Sequence, residues 1–152
     1  MKLIRAGVAD VALLAPMFDA YRQFYHQPPD INGSRRFLEQ RLKQDESVVF
    51  LAVDDSGEQG LGFVQLYPSF SSVAALPIWI LHDLFVVPER RRQGVARALM
   101  EAARVLAAET GADGLALSTA TDNFGAQSLY ESLGYRRDKK FIYYFLALDQ
   151  PV

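Results

Sequence analysis

The chain contains no cysteine in its 152 residues. That removes disulfides, thiolate metal sites and a cysteine nucleophile together, and it suits a reducing compartment. Histidine is almost as scarce: His26 and His82 are the only two, far apart in sequence, and with scattered carboxylates they reproduce no metal-ligand spacing. No metal site is expected. A positive excess is also missing, because 16 Lys and Arg face 18 Asp and Glu for a formal charge of -2. Such a balance gathers no polyanion, so nucleic acid is not an expected partner. No apolar run approaches membrane-spanning length, and Met1–Arg5, followed by Asp10, lacks the apolar stretch of an export signal. No membrane association is expected, and the expected location is the cytoplasm.

What is present is apolar material: half of the residues are hydrophobic. A chain of this length with that composition can bury its own core, so residues 1–152 are expected to form a single domain. No repeat, low-complexity tract or long linker divides it. Strand-like and helix-like segments alternate instead. Lys2–Arg5 reads as a strand, and Val11, Leu14, Phe18, Tyr21 and Tyr25 recur at helical spacing. After a loop over 26–33, Ser34 is placed to cap a second helix carrying Phe37, Leu38 and Leu42. Strands are expected over 47–53 and 60–67, joined by the turn 54–60, with a looser loop over 68–77. Ile78–Val87 is the strongest strand, interrupted only by His82 and Asp83, and its apolarity predicts burial on both faces. A helix follows from Gly94 to a stop at Gly111, then a strand over 115–119 and a helix ending at Leu133 with Thr121 or Asp122 as its cap. Strands over 134–137 and 141–148 close an α/β chain with a mixed sheet.

The segment Val86-Val87-Pro88-Glu89-Arg90-Arg91-Arg92-Gln93-Gly94-Val95-Ala96 joins the buried strand directly to a helix. A helix start leaves several backbone N–H groups without internal partners and carries partial positive charge, which suits a pyrophosphate. Gly94 and Ala96 keep side chains clear of such a ligand, and Arg91 and Arg92 can add charge-assisted contacts. A solvated surface turn would have the same charges. The segment is neither a P-loop, since no Gly-Lys-Ser/Thr follows, nor a G-x-G-x-x-G fingerprint. On the later helix Asn123, Ala126 and Tyr130 share a side, and Asn123 and Tyr130 stand roughly 10 Å apart at 1.5 Å per residue. One ligand can run along that face. A tyrosine hydroxyl is protonated at neutral pH and able to donate to a departing thiolate, although Tyr130 would also serve as a core aromatic and Asn123 as a cap.

Arg91-x-x-Gly94-x-Ala96 after a strand, then Asn123-x-x-Ala126-x-x-x-Tyr130 and Leu133-Gly134-Tyr135, resemble the paired signatures of the GNAT superfamily of N-acetyltransferases. The resemblance implies an α+β fold in which about four helices flank a mixed, mostly antiparallel sheet, splayed at its central strand. It implies acetyl-CoA as co-substrate, with the pantetheine arm paired to the backbone of Leu84, Phe85, Val86 and Val87. The pyrophosphate would lie on Arg91, Arg92, Gln93, Gly94, Val95, Ala96 and Arg97. By the same resemblance Asn123 and Ala126 border the arm and Tyr130 is the general acid. The family's amine attacks the thioester directly, in keeping with the missing cysteine.

An attacking ammonium must first lose a proton, and His82 and Asp83 stand on the expected strand. Successive strand residues face opposite sides, so without a bulge only one of them looks into a cleft. An imidazole titrates close to neutrality, and polyamine acetyltransferases of similar sequence carry Glu-Asp at this point, which favours His82. The acceptor site of the family draws on the first two helices and the loop before the central strand, here Tyr21, Tyr25, Tyr67, Phe70 and Trp79. That aromatic, lightly charged set points to a small amine, amino-acid-like or polyamine-like. The apolar run Phe141–Leu148 suits a homodimer interface. Two other readings share the fold: a non-catalytic acyl-CoA sensor, and an acetyltransferase acting on a protein or on aminoacyl-tRNA.

Overall fold

A computed structural model describes residues 1–149. The chain groups into two compact units, Met1–Ser118 and Thr119–Val152. The first unit runs β1 (Lys2–Arg5), a 3-10 turn (Val8–Asp10), α1 (Val11–Phe24), α2 (Ile31–Lys43), β2 (Val48–Val53), β3 (Gly60–Ser71), β4 (Leu76–Val86), a 3-10 turn (Pro88–Arg90), α3 (Val95–Glu109) and β5 (Leu115–Leu117). The second contains α4 (Phe124–Ser132). The five strands lie in the order β1-β2-β3-β4-β5. The first four pair antiparallel and β4 pairs with β5 in parallel. The sheet is therefore mixed and mostly antiparallel, and the described residues form four α-helices, three in the first unit and one in the second.

Both faces of the sheet are covered in the first unit. On one, Val49, Leu51, Val53, Phe63 and Phe85 pack with Leu14, Phe18 and Leu38 from α1 and α2. The alternate residues Val64, Leu66 and Leu81 are buried too, as are Val95, Leu99, Met100, Ala103 and Leu106 of α3. Period-2 strands and a 3.6-period helix produce this division. β3 and β4 approach so closely that a Cβ on Gly62 would stand 2.6 Å from the Phe85 carbonyl oxygen, an obstacle of fixed backbone. Gly62→Ala is therefore expected to lower stability by about 1–3 kcal/mol, as overpacked substitutions do, in a urea melt, and to displace β4 where the candidate site lies.

Several boundaries differ from the sequence expectation. Asp30, not Ser34, caps α2: its side chain accepts from the Gly33 N–H at 2.9 Å. Ser34 lies inside the helix, and its hydroxyl donates to Asp19 at 3.0 Å. Asp19 also accepts from the Asp30 N–H at 2.9 Å and Gln23 Nε2 at 3.0 Å. Burial alone would raise its pKa, but these bonds and Arg22 outweigh it and hold the carboxyl below its usual range. The buried carboxylate thus ties the α1–α2 connection to both helices. The expected loop over 68–77 is mostly strand, since β3 runs to Ser71 and β4 begins at Leu76. The cap of α4 is Asn123 rather than Thr121 or Asp122. Residues 135–149 form no strand, unlike the pair expected there.

Candidate active site

The interruption in β4 proves to be a bulge. Gln65 of β3 pairs with Asp83, and the next residue, Leu66, pairs with Leu81, which leaves His82 as the extra residue. A bulge of this kind resets the alternation of side chains. Gln65 and Tyr67 lie on the same face of β3, two residues apart. Gln65 Nε2 donates to Asp83 Oδ2 at 2.8 Å, and the Tyr67 ring meets the His82 ring edge-on with centroids 5.0 Å apart. His82 and Asp83 thus both turn to the α1 face, which strict alternation forbids. From α1 the Tyr21 hydroxyl donates its one proton to the His82 carbonyl at 3.2 Å and is within reach of Asp83, to which that proton can turn instead.

The two candidate bases sit in different surroundings. His82 is exposed, whereas Asp83 is half-buried. Burial pushes the Asp83 carboxyl above its ordinary pKa; the hydrogen bonds from Gln65 and Tyr21, then His82, oppose this without cancelling it. Tyr67 is pushed up to about 12, mainly by burial and then by the Asp83 charge, so it remains a donor at neutral pH. Gln65 is fully buried, and its Oε1 accepts from the buried Ser47 hydroxyl at 2.8 Å. Gln65 and Ser47 had no place in the sequence expectation. The one signal for Gln65 was a single amide in the apolar run Leu61–Leu66.

Tyr21 and Tyr25 stack edge-on at 5.1 Å, and Tyr21 continues to Phe85 at 6.3 Å. The structure thus brings Tyr21, Tyr25 and Tyr67 to the Asp83 face. It does not bring Trp79 there. Trp79 pairs with Pro68, out of phase with Gln65 and Tyr67, and its Nε1 donates to Thr110 beyond α3 at 2.8 Å. Phe70 is 79% exposed near the hairpin tip.

Pairing of β4 with β5 ends at Leu81 and Leu117. Beyond it, among the described residues, the β5-facing edge of Leu84, Phe85 and Val86 carries no ladder partner, although β3 still pairs with them on the other side. An extended molecule can add to such an edge through main-chain hydrogen bonds. The strand leads straight into the arginine turn. Arg92 has φ +60 and Gly94 φ +86, on either side of Gln93. Left-handed backbone costs a non-glycine residue on the order of 1 kcal/mol, and such strain gathers at functional sites. Gly94 is the N-cap of α3 and supplies no side-chain bond, so the first-turn N–H groups meet no capping side chain. Arg91 braces the turn: its Nε donates to the Val86 carbonyl at 2.9 Å, and its guanidinium lies 5.6 Å from the Phe85 ring centroid. Gln93 Nε2 donates to the Glu89 carbonyl at 3.1 Å. Val95 is buried, and Arg97 and Ala96 lie in the first turn.

In the second unit, Asn123 Oδ1 accepts from the Ala126 N–H at 3.2 Å, which leaves its amide nitrogen free of that cap. Tyr130 lies two turns further along the same side of the helix, its ring 6.1 Å from that of Tyr135. The Leu133-Gly134-Tyr135 turn closes back on this residue, for the Leu133 and Tyr135 N–H groups both donate to the Tyr130 carbonyl at 3.0 Å. Among the described residues no three His, Asp or Glu side chains are grouped to hold a metal ion.

An open mixed sheet, the strand β4 losing its parallel neighbour after Leu81, and an uncapped helix start beyond it together leave a backbone edge and a helix N-terminus open to an extended ligand. The sequence matches the Acetyltransferase (GNAT) family over residues 14–135. It is 45% identical to the uncharacterized N-acetyltransferase YhfO of Bacillus subtilis (strain 168), over 96% of this chain and 97% of that one. A crystal structure of a probable acetyltransferase, 44% identical, superposes with a TM-score of 0.93 over 99% of this chain and all of the other. The aminoglycoside N-acetyltransferase AAC(6')-Iy, in complex with CoA, shares the fold at 20% identity, with a TM-score of 0.79 over 97% of this chain and 95% of that one. The chain belongs to the GNAT family of acetyltransferases and is an acyl-transferring enzyme.

Proposed function

We propose that this enzyme moves the acetyl group of acetyl-CoA to a primary amine of a small molecule, by direct attack of the amine on the thioester. The observation that carries the reading is the parting of β4 from β5 after Leu81, beside the bulge that turns Asp83 and His82 to one face. Leu84–Val87 offer backbone to the pantetheine arm, and Arg91–Arg97 offer N–H groups and charge to the pyrophosphate. Asn123 and Ala126 border the arm, and Tyr130 donates its proton to the departing thiolate. That a CoA complex exists for a protein of the same fold supports the donor.

Asp83 takes the proton from the attacking ammonium, directly or through water. Its burial supports this role over one for the exposed His82, because a carboxyl raised from its ordinary range is a better base near neutrality. Tyr21, Tyr25 and Tyr67 wall the acceptor side. An aromatic, lightly charged wall suits a compact amine better than a polycation, and the aminoglycoside acetyltransferase of the same fold acts on a small-molecule amine.

The assembly we propose is a homodimer in the cytoplasm. Phe141, Ile142, Tyr143, Tyr144, Phe145, Leu146 and Leu148 are each 79–88% exposed in one chain. A run so apolar gains by burial at roughly 25 cal/mol per Å². Size-exclusion chromatography with light scattering is expected to give twice the chain mass, and Tyr144→Asp with Leu146→Asp to shift it to one.

Release of free CoA from acetyl-CoA across a panel of amino acids, polyamines and aminoglycosides tests the reaction. Turnover with one acceptor class is expected. Tight CoA binding without turnover on any amine would replace the enzyme reading with that of an acyl-CoA sensor.

A further inference from the structure

We infer that Gln65, locked by Ser47, is a positioning residue that holds the Asp83 carboxylate in place for proton transfer; this rests on the reading of Asp83 as the base. The three side chains form a chain from three successive segments. Ser47 precedes β2, Gln65 lies in β3 and Asp83 in β4, linked by hydrogen bonds of 2.8 Å at each step. Gln65 is fully buried and Ser47 nearly so, in surroundings where Val49, Phe63 and Leu38 fill the same sheet face.

A buried amide is costly unless both of its ends are satisfied. Here both are. An ionised carboxylate only accepts, so the amide must present its NH2 group to Asp83, and its oxygen then faces Ser47. The Ser47 hydroxyl donates to that oxygen and completes the amide's hydrogen bonding. A flipped amide would set its oxygen against the carboxylate. In this orientation Gln65 supports the ionised form of Asp83, and Ser47 supports Gln65.

The bulge explains why such a device is needed. With His82 as the extra residue, Asp83 departs from regular strand alternation, and its orientation is not set by the ladder alone. Gln65 is its direct cross-strand partner and sets it instead. The titratable groups that act on Asp83 are Tyr21 from α1 and His82 on its own strand, and Asp83 in turn acts on Tyr67 of β3. Arg41 of α2 and Glu46 act on Tyr67. Of the two side chains that hydrogen-bond Asp83, Gln65 comes from the adjacent strand and Tyr21 from α1.

The test is the pH dependence of kcat/KM for the best amine, in the wild-type enzyme and in Gln65→Leu, Ser47→Ala, Ser47→Thr and Asp83→Asn. Gln65 donates to the ionised carboxylate, so its loss raises the Asp83 pKa. The acidic limb of Gln65→Leu is then expected to move to higher pH by about one unit, a tenfold loss at a fixed pH on that limb, with the KM for acetyl-CoA unchanged. Ser47→Ala moves the limb the same way by less, and Ser47→Thr, which keeps the hydroxyl, returns it. If Gln65→Leu fails to fold, the pair Gln65→Leu with Ser47→Ala, which strands no buried hydroxyl, carries the measurement. An acidic limb unmoved in these variants, yet abolished by Asp83→Asn, overturns the positioning role alone. A limb that survives Asp83→Asn overturns the base assignment, and the role of Gln65 with it.

Discussion

Asp83→Asn is expected to lower kcat for amine acetylation by about 10²–10⁴-fold, the range for loss of a positioned general base, while the folded protein becomes more stable. The two effects share one cause. Burial raises the Asp83 carboxyl above its ordinary pKa, so the fold disfavours the ionised form that catalysis needs. A carboxyl whose pKa is higher in the folded than in the unfolded state binds more protons when folded, and stability falls as pH rises through the interval between the two values. The asparagine carries no charge and escapes that penalty. Thermal melts at neutral pH should therefore place the variant above the wild type, and the gain should vanish below about pH 3.9, the value of an unperturbed aspartate. Asparagine has the same shape and keeps one carbonyl oxygen that can accept from Gln65. A variant that loses activity and stability together would mark Asp83 as a structural residue.

Tyr130→Phe is expected to reduce kcat by about 10²-fold, the lower end for general acid catalysis, with little change in the KM for acetyl-CoA. The lower end applies because a thiol, with a pKa near 8.5 in the free side chain of cysteine, leaves as its anion more readily than an amine or alkoxide would. The ring of Tyr130 and its 6.1 Å contact with Tyr135 survive the substitution, so only the hydroxyl is under test. Steady-state kinetics at saturating amine separates the two parameters. A fall confined to KM would assign the hydroxyl to binding instead of proton transfer.

Local chemistry explains which parts of this molecule were readable in sequence. The order of strands and helices followed from hydrophobic periodicity, and the arginine turn from its place between an apolar strand and a helix. Helix starts were harder. Asp30 and Ser34 are both capping residue types four positions apart, and the choice fell to Asp19, whose buried carboxylate took the Ser34 hydroxyl. Pro68 and several serines suggest a loop, whereas the β3–β4 ladder continues to Ser71 and Leu76.

The candidate site was legible in its residue types and not in its geometry. His82 and Asp83 stood out as polar residues in an apolar strand, but a bulge is a property of the register between strands, and one strand's sequence does not contain it. Gln65 and Ser47 belong to the same class. Each reads as an ordinary strand residue until β2, β3 and β4 are laid side by side. Trp79 illustrates the converse: its aromatic ring matched the expected acceptor wall, and alternation around the bulge placed it on the opposite face with Thr110. The composition of the apolar run Phe141–Leu148 suggests a strand, but composition does not say what a strand pairs with.

The direct test of the account is a single turnover with acetyl-CoA labelled in its acetyl group, using enzyme in excess and the best amine of the panel, with the label traced in protein, coenzyme and amine. Direct attack predicts that the label passes from coenzyme to amine in step with the release of free thiol, and that none is recovered on the protein at any time. Label that accumulates on a protein side chain before it reaches the amine would contradict the account, and so would label that stays on the coenzyme with every acceptor while the enzyme holds it bound.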